Sequence, residues 1–213
     1  RTIVCERMSA TPLVWKLIPL GSTDVRDVVE SVTQSHAVIG VPEFATAVEV
    51  SSLRAEGEAA SAAQMQNPLS SNETRLRLDI FGRTLTDGSV VEPLRGAQVL
   101  ANTLVRRAIL LVQTELPLLS DALGLTGCTA DTSLDYSDGE PAINVYYGPG
   151  GDFKPHKDSR ALTLLLPLST AGVDFEGGGT AFYSPDAEAG AAMRGKCAPV
   201  DVLRPPAGHG LLW

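Results

Sequence analysis

The chain of 213 residues has few cysteines and no apolar run long enough to cross a membrane. Cys5, Cys128 and Cys197 are isolated and form no C-x-x-C pair, so their spacing predicts neither a zinc site nor a disulfide framework. An odd number of cysteines also leaves the cellular compartment open. The longest uninterrupted apolar run in a candidate helix, residues 108–112, is far too short for a membrane span, and no signal-like segment is visible.

Basic residues are in the minority. The 17 lysines and arginines are outnumbered by 25 aspartates and glutamates, which gives a net charge of −8. Such a balance argues against a surface for nucleic acid or for anionic membranes, and solubility is its simplest meaning. We therefore expect neither nucleic acid nor a membrane among the partners.

The pattern of a nucleotide-binding α/β protein is also absent. No alternation of strands with crossover helices is visible, which excludes a dinucleotide-binding fold of the Rossmann type. Gly148-Pro149-Gly150-Gly151 superficially resembles a phosphate-binding loop. It lacks the G-K-[ST] ending and no helix follows it, so we interpret it as a turn.

The composition fits one globular domain that spans residues 1–213. Hydrophobic residues make up 44% of the chain and charged residues 20%, and the length suffices for a sizeable core. We expect a helical support region with edge strands over 1–125 and a β-rich core over 126–213.

Periodicity places helices mainly in the first region. Apolar residues recur at helical spacing from Val25 to Val32, an Ala- and Glu-rich helix is expected over 52–66, and the longest helix is expected over 96–116. On this last helix Gln98, Asn102 and Arg106 form a polar stripe opposite the apolar side. Strands are predicted over 13–20 and 74–81, the second because apolar and polar residues alternate.

Short segments with glycine, proline and aspartate turns dominate the second region. They predict strands over 128–134, 141–147, 153–158, 161–168, 179–184, 198–203 and 209–213. Many short strands after a helical region favour an α+β fold with a sandwich or jelly roll braced by the N-terminal helices.

The pattern His156-x-Asp158 predicts a metal site. Residues two apart in an extended strand point to the same side, so this imidazole and this carboxylate can reach one ion while Lys157 points away. One nitrogen and one hard oxygen are two of the three ligands in the facial triad of non-haem Fe(II) enzymes.

Motifs on both sides of this pair strengthen the prediction. Upstream are Tyr146-Tyr147 and the glycine turn, and downstream are the strand Ala161–Ser169 and the segment Phe175-Glu176-Gly177-Gly178-Gly179-Thr180-Ala181-Phe182. This ordered set resembles the prolyl 4-hydroxylase-like branch of the Fe(II)/2-oxoglutarate-dependent dioxygenases. The resemblance covers roughly the last third of the chain. It implies a double-stranded β-helix, the cupin-like jelly roll.

The resemblance also implies a reaction and roles for particular residues. His156 and Asp158 would be the catalytic Fe(II) ligands, Tyr147 would hydrogen-bond 2-oxoglutarate, and Thr163 would line the cosubstrate pocket. The family couples O₂ and the decarboxylation of 2-oxoglutarate, which yields succinate and CO₂, to hydroxylation of a substrate, with ascorbate as a supporting reductant. Peptidyl proline in a protein or peptide is the first substrate class that the resemblance suggests.

The chain departs from the family pattern at several positions. Pro167 stands where the family often has tyrosine, and Gly179 where it often has glutamate. The distal histidine and the basic residue that pairs with 2-oxoglutarate are expected beyond Trp213, so we expect the domain to lack its last strands. The 213-residue chain should then bind iron weakly and turn over 2-oxoglutarate poorly or not at all.

Alternatives exist for several of these residues and for the function. Tyr147 could instead be an aromatic core residue, and Thr163 could reflect simple β propensity. His209 is a weaker candidate for the third ligand, and His36 has no partner motif and is interpreted as structural or surface-lying. A cupin-like metalloenzyme without 2-oxoglutarate and a non-catalytic β-sandwich binding module are the two rival functions.

Overall fold

The computed structural model describes residues 15–20, 27–65, 74–136, 139–147, 156–158, 160–184 and 198–213. The helices of these ranges are α1 (Val28–Thr33), α2 (Ala47–Met65), α3 (Arg95–Glu115) and α4 (Pro117–Ala122). The strands are β1 (Lys16–Pro19), β2 (Ala37–Val41), β3 (Arg75–Asp79), β4 (Arg83–Thr84), β5 (Val90–Val91), β6 (Ala142–Tyr146), β7 (Leu164–Leu165), β8 (Thr180–Phe182), β9 (Asp201–Leu203) and β10 (Gly210–Leu212). These ranges therefore form a mixed α and β fold with four helices and several small antiparallel sheets.

The largest sheet has four strands in the order β1-β2-β10-β7, all antiparallel. In β10, Leu211 lies opposite Gly40 of β2 on one side and opposite Leu165 of β7 on the other. Three two-stranded pairs complete the β structure: β3 with β6, β4 with β5, and β8 with β9. The four-stranded sheet thus draws its strands from both halves of the chain.

Both faces of this sheet are covered. Ile39 and Leu212 belong to the larger core, which also contains the buried residues of α2 and α3. Val38 and Leu211 belong to a smaller cluster on the opposite face, where Phe182 of β8 packs against them. The alternation of β10 was predicted correctly, because Leu212 lies on one face while Leu211 and Trp213 lie on the other.

The longest helix was also predicted correctly, to within one residue at each end. Leu104, Ala108 and Leu111 of α3 are buried. Pro117 ends the regular run, because the following helix α4 starts at this proline.

The polar stripe of α3 contacts two loops, one after β3 and one after α4. Gln98 donates a hydrogen bond to the carbonyl of Ile80, and Arg106 donates to the carbonyls of Thr129 and Thr132. Because these carbonyls are bound by a guanidinium and the stretch folds into turns, residues 128–134 form no strand. The predicted strand there was wrong.

The start of α2 shows a signal that the sequence analysis missed. Thr46 and Glu49 form a capping box, in which the Glu49 carboxylate accepts from the Thr46 backbone at 2.8 Å and the Thr46 hydroxyl accepts from the Glu49 backbone at 3.2 Å. The helix consequently begins at Ala47 instead of residue 52, and it continues through Gly57. A β-carbon at Gly57 would lie 3.0 Å from Ile143 Cγ2, so glycine lets α2 approach β6 closely.

Other predicted strands are shorter in the structure or fall elsewhere. Strands lie within 13–20, 74–81, 141–147, 161–168, 179–184, 198–203 and 209–213, as predicted. Residues 156–158 are not a strand, while 153–155 and the turn at 148–151 lie outside the described residues. The sequence analysis missed β2, the β4–β5 pair and α4. Positive φ angles at Gly177, Gly178 and Gly179 lead into β8, which agrees with the predicted glycine turn.

Arg107 of α3 ties the start of α2 to the core. Its guanidinium lies 2.6 Å from the Glu49 carboxylate, whose side chain is 18% exposed, and it also donates to the carbonyl of Phe44 at 2.7 Å. The hydrogen bond from Arg107 lowers the pKa of Glu49 from 4.5 to about 2, against the opposing effect of partial burial.

We expect Glu49→Gln to lower the free energy of unfolding by about 2 kcal/mol near neutral pH, because the ionised carboxylate is bound more tightly in the folded state. Since the folded pKa is depressed, this contribution is fully present above pH 4.5 and is lost as the pH falls towards 2. Urea unfolding of both proteins at several pH values measures it. Glu58→Gln in the same helix, at an exposed ion pair, is the control and should change stability by at most about 0.5 kcal/mol. A Glu49→Gln deficit that did not shrink in acid would contradict the assignment.

Candidate metal centre

The end of β10 brings the candidate site together. The backbones of Thr163 and Trp213 are paired by two hydrogen bonds, with the N–H of Thr163 donating at 2.8 Å and that of Trp213 at 3.2 Å. These bonds extend the ladder between β7 and β10 by one residue beyond the regular strands. Thr163 and Trp213 therefore lie side by side at the end of the β7–β10 ladder.

His156 and Asp158 converge, as the spacing predicts. The imidazole Nε2 of His156 lies 3.4 Å from Oδ1 of Asp158. The side chains are 56% and 31% exposed, so both are accessible from solvent. The segment is not a regular strand, yet the two side chains still share one side.

The two oxygens of Asp158 have different surroundings. Oδ2 accepts a hydrogen bond from the Thr163 hydroxyl at 2.8 Å and another from the indole N–H of Trp213 at 3.0 Å. Oδ1 is the oxygen next to His156. Two neutral donors thus orient the carboxylate and leave the other oxygen beside the imidazole, which is how outer hydrogen bonds orient metal-ligating carboxylates.

The pair can span one ion. With bonds of about 2.1 Å, donors that lie 3.4 Å apart subtend an angle of about 108° at a shared ion. An octahedral ion prefers about 90°, which the pair reaches if the two atoms approach by about 0.4 Å. One imidazole nitrogen and one carboxylate oxygen suit Fe(II) and leave other positions of the ion open. Within the described ranges, no group of three or more histidine, cysteine, aspartate or glutamate side chains is placed to hold a metal.

Trp213 is the residue of the site that the sequence analysis missed. Its ring meets that of Phe182 edge to face, with centroids 5.4 Å apart, and it packs against the cluster that contains Leu211. The alternation of β10 predicted the face on which Trp213 lies. The useful further signal was the indole N–H itself, because a partly buried tryptophan N–H usually finds an acceptor.

The two residues assigned to 2-oxoglutarate differ in their surroundings. Thr163 contacts Asp158, so its hydroxyl acts on the candidate ligand, and its role towards 2-oxoglutarate stays a prediction. Tyr147 is 41% exposed just after β6, and its backbone N–H donates to the carbonyl of Thr74. The alternative of a core tyrosine was wrong, since Ile143 is buried on this strand while Tyr147 is not.

The other histidines lie elsewhere. His209 precedes β10 and lines a cavity of about 650 Å³ together with Thr46 and Arg54, at the opposite end of the strand from Trp213. The backbones of His209 and Trp213 are about 13 Å apart, because four residues of extended chain span that distance. His36 lies between α1 and β2, where its backbone bonds to Leu20 and Ser31. This position agrees with a structural role.

The surroundings of Asp158 contain a second carboxyl group. Burial raises the pKa of Glu140, Arg77 opposes this shift, and the negative charge of Asp158 adds to it. Arg160, two residues after Asp158, binds the Asp135 carboxylate at 2.6 Å and the carbonyl of Tyr136 at 2.8 Å. These bonds anchor Arg160 beside Asp135 and Tyr136.

Comparison with models of protein families, with curated proteins and with solved structures found no match. Among the described residues, no helix is both long and apolar enough to cross a membrane.

We expect Thr163→Val to lower the free energy of unfolding by about 1–2 kcal/mol, because it removes a hydrogen bond to a charged oxygen. In a double-mutant cycle with Asp158→Asn, about 1 kcal/mol of this loss should prove to be coupling between the two side chains. Thr163→Ser keeps the hydroxyl and is the matched control. Additive effects of the two substitutions would show that the hydrogen bond contributes nothing measurable.

Proposed function

We propose that the chain is a 2-oxoglutarate-dependent dioxygenase of the prolyl 4-hydroxylase-like type, in which His156 and Asp158 bind a non-haem Fe(II) ion. The proposal is carried by one observation, the asymmetric environment of the Asp158 carboxylate. Oδ2 is held by Thr163 and Trp213, and Oδ1 lies 3.4 Å from the His156 imidazole. A surface ion pair needs no such orientation, whereas a metal ligand benefits from it.

The arrangement of the strands supports the double-stranded β-helix that this function implies. The four-stranded sheet presents Leu211 and Leu165 towards Phe182 and Leu203 of the β8–β9 pair. Helices cover the other face of the sheet. A larger sheet that is braced by helices on one face and faced by shorter strands on the other agrees with the proposed jelly roll.

In this proposal each residue has a distinct task. His156 and Asp158 hold the ion, Thr163 and Trp213 orient Asp158, and Tyr147, which is exposed, hydrogen-bonds 2-oxoglutarate. The bound iron, with 2-oxoglutarate and O₂, would supply the oxidising power for hydroxylation and release succinate and CO₂, with ascorbate in support. Peptidyl proline is the proposed substrate class. The third iron ligand and the basic partner of 2-oxoglutarate are not among the assigned residues.

Metal binding can be measured directly, because the Trp213 indole contacts the carboxylate that would bind the ion. In a Trp15→Phe background, Trp213 is the sole tryptophan, and anaerobic Fe(II) should quench its emission. We expect His156→Ala and Asp158→Ala to abolish the saturable quenching, and Thr163→Val to weaken binding about tenfold through loss of orientation.

His209→Ala is the control for this experiment, since His209 lines a different cavity. It should leave the quenching curve unchanged. Equal quenching in the His156→Ala and Asp158→Ala proteins would refute the metal assignment. A loss of binding in His209→Ala as large as in His156→Ala would show that the third ligand had been misplaced.

Turnover separates the proposal from its rivals. With Fe(II), O₂ and ascorbate, we expect the chain to form succinate from 2-oxoglutarate slowly, because only two ligands are assigned. The activity should disappear in His156→Ala. Oxidation of a substrate that needs the metal but not 2-oxoglutarate would favour a cupin-like metalloenzyme, and absence of saturable Fe(II) binding would favour a binding module.

A further inference from the structure

A second cavity lies beside the candidate metal centre. It has a volume of about 520 Å³, and its walls include Phe81, Arg83, Asn102, Arg106, Tyr136 and Glu140. We call it the Arg106 cavity. Ser133 and Glu140 at its edge are exposed, so the cavity opens to solvent. A side chain could therefore enter while the backbone that bears it stays outside.

Arg106 gives the cavity a positive charge. Its guanidinium donates to the carbonyls of Thr129 at 3.0 Å and Thr132 at 2.9 Å. Within the described ranges no carboxylate lies at ion-pair distance from Arg106. Carbonyl dipoles position a guanidinium but do not neutralise it, and the residue is only partly exposed to water. This charge can attract an anion.

Asn102 adds hydrogen-bond donors one helical turn before Arg106. Its Oδ1 accepts a hydrogen bond from the Tyr136 hydroxyl at 2.7 Å. With that oxygen bound, the Nδ2 amide offers two hydrogens, and no acceptor among the described residues receives either. Arg106 and Tyr136 line the same cavity, and the charge of Arg106 opposes the rise in the pKa of Tyr136 that burial causes. The wall thus combines a guanidinium with an amide donor.

The other two charged groups of the wall, Arg83 and Glu140, each pair with a residue outside the cavity lining. Arg83 pairs with the buried Asp79 at 2.8 Å, and Glu140 pairs with Arg77 at 2.9 Å. The Glu140 carboxylate is the group that would repel an incoming anion, and its partner Arg77 offsets that charge. Arg106 is therefore the charge in the wall with which an anionic ligand would pair.

The cavity is connected to the candidate ligands through Arg160. This residue donates to the carbonyl of Tyr136, a wall residue, and its Cα lies at most about 7 Å along the chain from that of Asp158. The negative charge of Asp158 raises the pKa of Glu140, which lines the cavity. A peptide that enters the cavity with one side chain can thus extend towards the His156–Asp158 pair.

We propose that the Arg106 cavity is a subsite for a carboxylate, and that it holds an acidic side chain of the peptide on which the His156–Asp158 centre acts. The description of this peptide as a substrate rests on the proposed function. Binding of the carboxylate rests on Arg106, Asn102 and the shape of the cavity alone. A carboxylate accepts two parallel hydrogen bonds from such donors, which makes it the matching ligand.

The test uses the whole 213-residue chain without metal and two labelled flexible peptides. One carries a proline flanked by glutamates, and the other has glutamines in place of the glutamates. Fluorescence anisotropy should show binding of the glutamate peptide at least about tenfold tighter than that of the glutamine peptide. Arg106→Gln should remove most of this preference, and added salt should weaken it.

Asn102→Asp is the second variant, since Arg106 also holds the 129–132 turn and its loss could disturb the loop. The new carboxylate keeps an acceptor for Tyr136 but repels an acidic ligand, so binding of the glutamate peptide should fall about tenfold. Thr103→Asp is the matched control, because it places the same charge one residue later on the exposed side of α3. It should change binding less than about twofold.

Three results would show that the Arg106 cavity is not a carboxylate subsite. They are equal binding of the two peptides, wild-type affinity in both Arg106→Gln and Asn102→Asp, or an equal loss in Thr103→Asp. Displacement of the peptide by succinate at matching concentration would identify a free dicarboxylate as the ligand and would refute the peptide assignment. Because these measurements use no metal, they remain distinct from the Fe(II) titration, which tests the proposed function separately.

Discussion

Strand β10 is the constraint on which the rest of the structure depends. It lies between β2 and β7, and all three of its residues are buried. Leu212 contacts the core beneath the helices and Leu211 contacts the smaller cluster on the opposite face. Because residues alternate strictly, Trp213 must follow Leu211 onto that second face. A slip of one residue would remove the indole from Asp158 and both leucines from their clusters.

Elements with a strong periodic pattern could be predicted from the sequence. The alternation at 75–79 fits only a strand, and the longer helical period of α3 fits only a helix. β2 was missed because all five of its residues are buried, so its sequence lacks the alternation of apolar and polar residues that predicts a strand. The predicted strand at 128–134 failed because Arg106, far away in sequence, holds its carbonyls in a turn. Such a contact leaves no local signal.

The site was predictable in part. The pattern of His156 and Asp158 indicated that their side chains share one side, and they do so even without a regular strand. The link from Asp158 to Trp213 joins residues 55 apart in sequence. It follows from the pairing of β7 with β10, which spacing alone does not specify. Spacing also does not specify that Arg106 and Arg160 contact the same stretch between α4 and β6, at Thr132 and Tyr136.

The central position of β10 also affects the order in which the protein can assemble during synthesis. β2 pairs early with β1, but its other edge waits for β10, whose Leu211 comes roughly 170 residues after Gly40. At ribosomal rates of about 5–20 residues per second, that edge stays open for about ten to thirty seconds. During this interval an apolar strand with unpaired backbone groups faces solvent or a chaperone. Early folding of α2 and α3 over one face of β2 would shorten the exposure of its side chains, although the open edge must still wait for the late strand.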